Sequence, residues 1–373
     1  MAGWIFDGPG SGMAGGSMRT YTCTCGQTLF CDNNVCLKCG SELGFCPACQ
    51  KLGPIFASSD GTYRCGNPEC GAALVKCANY VDYDVCNRCI EIPKDGSPPP
   101  LYCDCCRYNQ TIPDLSVPGN LQKWYRLESA KRRLFYDLAL LGLPHGTAAD
   151  GFVPPLSFDF KADIIPSADF WRSMGDEERV YTGHQAGKIT INIREADEVE
   201  RERLRVDMGE AHRTLIGHFR HEIGHYYWEL LIRGQREAEF TKMFGDPWNP
   251  SYAEAMEVYY AQGPRPHWQR AFPSAYASMH PWEDWAESFA LLLDMISALE
   301  TATWIGFLPP TEFDMQDMDK MITLYQRLGL GLNEMSRTMG LLDIVPEVLV
   351  EPVARKIRFV YNVCRNSRGG SGS

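Results

Sequence analysis

The chain has 373 residues, 45% of them hydrophobic, with a formal net charge of −11. That length suits two or three domains with a substantial buried core, and the acidic balance argues against a surface built for nucleic acid. The longest apolar run, from Phe289 to Leu308, is interrupted by Asp294 and Glu300 and closed by Pro309-Pro310, so no membrane span is expected.

Fifteen of the 16 cysteines lie between Cys23 and Cys106, with only Cys364 outside. Crowding of this kind means a disulfide scaffold or metal sites. Residues 1–20 are rich in Gly and Ser and have no apolar core of a secretory signal. The expectation is therefore a reduced, cytoplasmic protein whose thiols hold zinc. Residues 1–18 and 366–373 read as flexible tails, 19–115 as a zinc-ribbon region and 119–365 as a second domain.

A four-thiolate zinc site is usually assembled from two tight knuckles, each supplying two sulfurs. Cys23 and Cys25 with Cys36 and Cys39 make one set, and Gly26 and Gly40 directly follow its knuckles. Cys46 and Cys49 with Cys65 and Cys70 make a second. The third is less tidy: Cys77, then Cys86 or Cys89, then Cys103 with Cys105 or Cys106. Segments this short and poor in core residues need such staples to fold.

Between Arg19 and Asp114 there are eight Lys or Arg against ten Asp or Glu. Each zinc on four thiolates adds two formal negative charges, taking the region to about −8 with three sites. No positive stripe offers itself to phosphates, so a protein partner or a structural role is expected of the ribbons.

Beyond Gly119-Asn120, residues Leu121, Trp124, Leu127, Leu134, Leu138 and Leu141 follow helical spacing until Gly142 and Pro144. Three strand-like runs come next, at 156–165, 180–184 and 188–193; in the last, Ile189, Ile191 and Ile193 alternate with polar residues. A helix starting near Arg213 then carries His221-Glu222-Ile223-Gly224-His225. One helical turn separates the two histidines, so both imidazoles can grip one metal, and Glu222 stands about 100° round, within reach of a metal-bound water. His218 shares that face, but a tetrahedral ion cannot take all three histidines, so it reads as an outer partner of the site or a packing residue. Leu231 stands where a metzincin would place its third histidine, which excludes that subclass.

The remaining ligand is sought in Trp282-Glu283-Asp284-Trp285-Ala286-Glu287-Ser288-Phe289-Ala290. Glu283 and Glu287 are four apart on one helix face and repel unless a positive charge sits between them. Zinc bound to Glu283, with Glu287 accepting the outer N–H of a ligand histidine, supplies that charge. Tyr226, Tyr227, Tyr259, Tyr260 and His280 are candidates to donate a hydrogen bond to the developing oxyanion.

The pairing of His221-Glu222-x-x-His225 with Glu283-x-x-Ala286-Glu287-x-Phe289-Ala290 resembles the gluzincin metallopeptidases, except that Glu287 stands where their pattern has Asp or Asn. More narrowly, residues 219–228 and 280–287, with Thr111–Leu115 and Lys356–Val360, look like a bacterial family of zinc-binding metallopeptidases carrying an N-terminal zinc ribbon. The resemblance implies an α+β chain: zinc-ribbon modules, then a mainly helical zincin-like domain with a small β-sheet. It implies Glu283 as the carboxylate ligand, and Cys77, Cys86, Cys103 and Cys106 as the third thiolate set, leaving Cys31, Cys89 and Cys105 spare. It also implies that 188–193 is an edge strand on which an extended peptide would pair.

The expected activity is zinc-dependent peptide-bond hydrolysis with Glu222 as general base, using one catalytic zinc and two or three structural ones. Two other classes compete: a zinc-ribbon scaffold whose second half only binds, and a zinc hydrolase of a non-peptide amide. An intact Glu222 argues against the scaffold, which has no use for a base.

Overall fold

The computed structural model describes residues 20–163, 182–207, 214–346 and 348–367. The described residues of Ser17–Ala139 and His145–Glu222 form one compact unit; those of Leu140–Pro144 and Ile223–Ser373 form another. The protein is α+β, with a strand-rich, cysteine-rich N-terminal region and a mainly helical remainder.

In the first unit, β1 (Thr20–Thr22) and β2 (Thr28–Phe30) pair as a hairpin. A second, antiparallel sheet runs in chain order through β3 (Leu43–Cys46), β4 (Lys51–Ala57), β5 (Tyr63–Cys65), β6 (Ala73–Lys76) and, after the one-turn helix α1 (Ala78–Val81), β7 (Cys89–Glu91). Its strands are three to seven residues long. Beneath the first knuckles Tyr21, Leu29, Leu43, Phe45 and Leu52 form a small core cluster with Cys23 and Cys36. So thin a core depends on other staples.

β8 (Asn109–Thr111) and the 22-residue helix α2 (Asn120–Leu141) follow. Trp124, Leu127, Leu134, Leu138 and Leu141 are all buried on α2, as their spacing predicts, whereas Leu121 in its first turn is exposed. The polar side chains of α2 tie it to the ribbons: Ser129 donates to Asp32 Oδ1 at 2.7 Å, Arg132 donates to the Val85 carbonyl at 2.6 Å, and Arg133 pairs with Asp32.

β9 (Ser157–Lys161), β10 (Gly183–Gln185) and β11 (Lys188–Asn192) complete a mixed sheet in the order β10-β11-β9-β8. The expected edge strand is therefore an inner one. β11 has β9 parallel along its whole length on one side and β10 antiparallel along Lys188–Thr190 on the other, so this chain itself already occupies that stretch of the expected edge. The cause is a two-residue hairpin: Ala186 and Gly187 both take positive φ, 48° and 85°, which turns the chain straight back from β10 into β11. Of the expected runs 156–165 and 180–184, residues 164–181 lie outside the described residues.

α3 (Glu198–Asp207) precedes α4 (Leu215–Leu231), which carries the two histidines. The expected helix start at Arg213 lies outside the described residues. The second unit then contains α5 (Glu237–Phe244), α6 (Tyr252–Gln262), α7 (Pro281–Trp304), α8 (Met318–Thr338) and α9 (Glu351–Ser367). α7 is its axis, with α5, α8 and α9 packed against it. Among the described residues no helix is long and apolar enough to cross a membrane.

Candidate metal centres

α7 begins with three devices that fix its start. His280 caps it by accepting the Trp282 N–H on Nδ1 at 3.1 Å, Pro281 occupies the first turn, and Glu283 and Asp284 place acid there. Gly224 of α4 then sets how closely the two helices approach. A Cβ at position 224 would stand 3.0 Å from the Ala286 Cα and 3.2 Å from its carbonyl oxygen. The Trp285 indole locks the crossing by donating to the Gly224 carbonyl at 2.8 Å.

This close crossing brings Glu283 to His225. The His225 Nε2 and Glu283 Oε2 lie 3.5 Å apart, and the ligand atoms of His221, His225 and Glu283 all lie within 4.8 Å of one another. Two ligands at about 2.05 Å from a tetrahedral zinc are about 3.3 Å apart, so the separation suits zinc. Two imidazole nitrogens and a carboxylate oxygen are also the donors that zinc favours. His225 and Glu283 are 3% and 1% exposed, which makes a cation between them the natural compensation for a buried carboxylate. His221 is half-buried and Glu222 is buried.

Several side chains hold these groups in place. The Tyr252 hydroxyl donates to Glu283 Oε1 at 2.8 Å, so the oxygen left facing His225 is Oε2. The Trp282 indole packs against the His225 ring with centroids 3.9 Å apart. Arg220, just before His221, is bound through Nε and Nη2 to Asp137 Oδ2 at 3.0 and 2.7 Å, anchoring α4 to α2 in a buried ion pair. Asp284 meets Lys356 of α9 at 2.5 Å; burial pushes its carboxyl up while the lysine draws it back.

Tyr252 was missed from sequence because it lies 31 residues before Glu283 on another helix. The nearby Tyr276 phenol, 3.5 Å from that of Tyr252, is held above its ordinary range by burial and then by the Glu283 charge. Of the expected oxyanion donors, Tyr226 and Tyr227 are fully buried and His280 caps α7, while Tyr260 is well exposed on α6. His218 stays outside the cluster, its Nδ1 3.4 Å from Glu195 Oε2. Glu287 stands one turn beyond Glu283, half-buried.

The cysteines gather into three sets: Cys23, Cys25, Cys36 and Cys39; Cys46, Cys49, Cys65 and Cys70; and Cys77, Cys86, Cys103 and Cys106. Sulfur pairs within them are 3.7–3.8 Å apart, as in Cys25–Cys36, Cys49–Cys65 and Cys86–Cys103. A disulfide would bring them to about 2.05 Å, whereas the edge of a zinc–sulfur tetrahedron with bonds of about 2.3 Å is about 3.8 Å. The third set, wholly buried, includes Cys86 rather than Cys89 and Cys106 rather than Cys105. Burial pushes the Cys89 and Cys105 thiols up to about 12. Lys131, itself buried, is paired with Glu128 at 2.9 Å, and that carboxylate lies 3.8 Å from the Cys106 sulfur.

A family model described as "Putative zinc-binding metallo-peptidase" matches residues 120–363. The chain belongs to that family. A zinc-ribbon domain model matches residues 20–117. Relatives in Mycobacterium bovis and Mycobacterium tuberculosis, both described as uncharacterized proteins, are 37% identical to this chain over 356 residues, covering 93% of it and 95% of each relative. No solved structure matches this family member. The family and the cysteine sets together make it a zinc-binding protein.

Proposed function

We propose that this protein is a zinc-dependent peptidase in which His221, His225 and Glu283 hold the catalytic ion. The observation that carries the reading is the convergence of these three ligand atoms within 4.8 Å, with Glu222 next to His221 on the same helix. Bound there, zinc would lower the pKa of a water and polarise the scissile carbonyl. Glu222 takes the proton of that water on its carboxylate and delivers it to the departing amine nitrogen. Tyr252 keeps one Glu283 oxygen engaged so that the other stays aimed at the ion. Glu287 accepts the outer N–H of a ligand histidine.

The three cysteine sets hold one structural zinc each, giving four ions in all. Their role is to fold the N-terminal region and offer a surface to a protein partner, since the charge balance there disfavours nucleic acid. Glu222→Gln tests the assignment. The amide is nearly isosteric but accepts no proton, so the variant should bind as much zinc as the wild type and hydrolyse unfolded casein at less than about a hundredth of its rate. Undiminished hydrolysis would reject Glu222 as the base.

A further inference from the structure

α6 is an anomaly among the helices of its unit. Tyr252, Met256, Tyr259 and Tyr260 fall on one face at the spacing i, i+4, i+7, i+8, which ordinarily marks the side turned to a core. Along one margin of this face Ala255 is buried; along the other, Met256 is 38% exposed and Tyr260 67% exposed. Ala255 is the only buried residue of the eleven. An isolated helix of this length is marginal in water, and a half-uncovered apolar stripe does little to hold it.

The stripe is continuous with the metal cluster. At one end Tyr252 donates to Glu283 at 2.8 Å. The Tyr276 hydroxyl lies 3.5 Å from that of Tyr252, the Tyr276 and Tyr259 rings are 5.9 Å apart, and the Tyr259 and Tyr260 rings 5.8 Å. A ladder of four tyrosines thus leads from a zinc ligand to open surface. Tyrosine offers a flat apolar face with a hydrogen-bonding tip at little conformational cost, which suits varied side chains carried on a polypeptide.

We infer that the exposed stripe of α6 is the docking face for aromatic and large aliphatic side chains of a polypeptide substrate lying beside the metal cluster. The inference rests on the peptidase reading and specifies its substrate class: unfolded or extended segments with a bulky apolar residue near the scissile bond. Met256 and Tyr260 form the contact, and Tyr259 and Tyr276 support it from behind.

The test uses the zinc-loaded, full-length Glu222→Gln protein and fluorescein-labelled alanine-based octapeptides bearing one Phe, or one Ser, at each position in turn. Fluorescence anisotropy should find at least one register in which the Phe peptide binds about tenfold tighter than its Ser partner. Adding Met256→Gln and Tyr260→Gln, both at exposed positions, should bring that preference to within about twofold, and Tyr260→Phe should retain it. Equal binding of Phe and Ser peptides at every position, or a preference untouched by the double substitution, overturns the inference. So does self-association of the protein that the double substitution abolishes without changing peptide binding, since the stripe would then be an interface between copies. Cleavage of the same peptides by the protein with Glu222 intact separates the two readings. A Phe preference in binding without any cleavage upholds the docking face and sinks the peptidase reading; cleavage without a Phe preference does the reverse.

Discussion

Tyr252 and Glu283, on consecutive helices of one unit, share a 2.8 Å hydrogen bond that leaves the second carboxylate oxygen 3.5 Å from the ring nitrogen of His225. In the proposed site that bond would select which oxygen faces the ion, and a ligand oriented in advance loses less freedom on binding. Tyr252→Phe should lower zinc affinity at this site by roughly 10–100-fold, in the range found for outer partners of metal ligands. Competition against a chromophoric chelator measures it. Unchanged affinity would show that Glu283 needs no such support.

Gly224 sets the distance between the helices carrying the ligands. Gly224→Ala places a Cβ 3.0 Å from the Ala286 backbone, and backbone cannot rotate away as a side chain can. The expected outcome is a loss of about 1–3 kcal/mol in stability, with weaker zinc binding because Glu283 moves off with α7. Urea unfolding and zinc titration of the same variant check both halves, and wild-type values in both would mean that the crossing accommodates the extra methyl group.

Much of this was legible in the residues themselves. A two-histidine grip needs only one turn of helix, and paired knuckles bring sulfurs together within a few residues, so His221, His225 and the first two cysteine sets follow from local spacing. The third set was not decided by spacing, because Cys86 and Cys89, and Cys105 and Cys106, are near neighbours in the chain; only the fold brings Cys86 and Cys106 to Cys77 and Cys103. The inner position of β11 was missed because the strand-like run at 180–184 does not itself say which strand it pairs with; the turn at Ala186 and Gly187 lays Gly183–Gln185 against Lys188–Thr190. Tyr252 and the ladder behind it depend on contacts between α6, α7 and the turn around Tyr276, which no periodicity encodes.

The carboxylate ligand has its own test. Glu283→Ala removes a direct bond, so zinc binding and activity at this site should collapse together. Glu287→Ala should cost roughly 10–100-fold in affinity or rate while metal still binds at saturating zinc. A fully occupied site in Glu283→Ala would transfer the ligand role to another carboxylate.

His145 gives a pH dependence of known sign. Burial lowers its pKa from 6.5; the Asp104 carboxylate opposes the shift and Arg107 adds to it. The ring bonds to the Tyr108 hydroxyl at 2.8 Å. Between the folded pKa and 6.5 the unfolded chain binds more protons, so stability is whole above 6.5 and is lost as pH falls through the folded value. His145→Gln should make the decline in urea midpoint between about pH 7 and pH 5 shallower. Parallel declines for the two proteins would remove His145 from the account.

Zinc held by His221, His225 and Glu283 is proposed to cut peptide bonds. The most direct measurement is to incubate the zinc-loaded protein with a denatured proteome and sequence the N-termini that appear, alongside samples in which a mild chelator has removed the most accessible metal and zinc has then been restored. New N-termini should form with the loaded protein, vanish after chelation and return with zinc, since an ion held by three protein ligands leaves before those held by four thiolates. The same set of N-termini in all three samples, with the site emptied by the chelator and refilled by zinc, would contradict it.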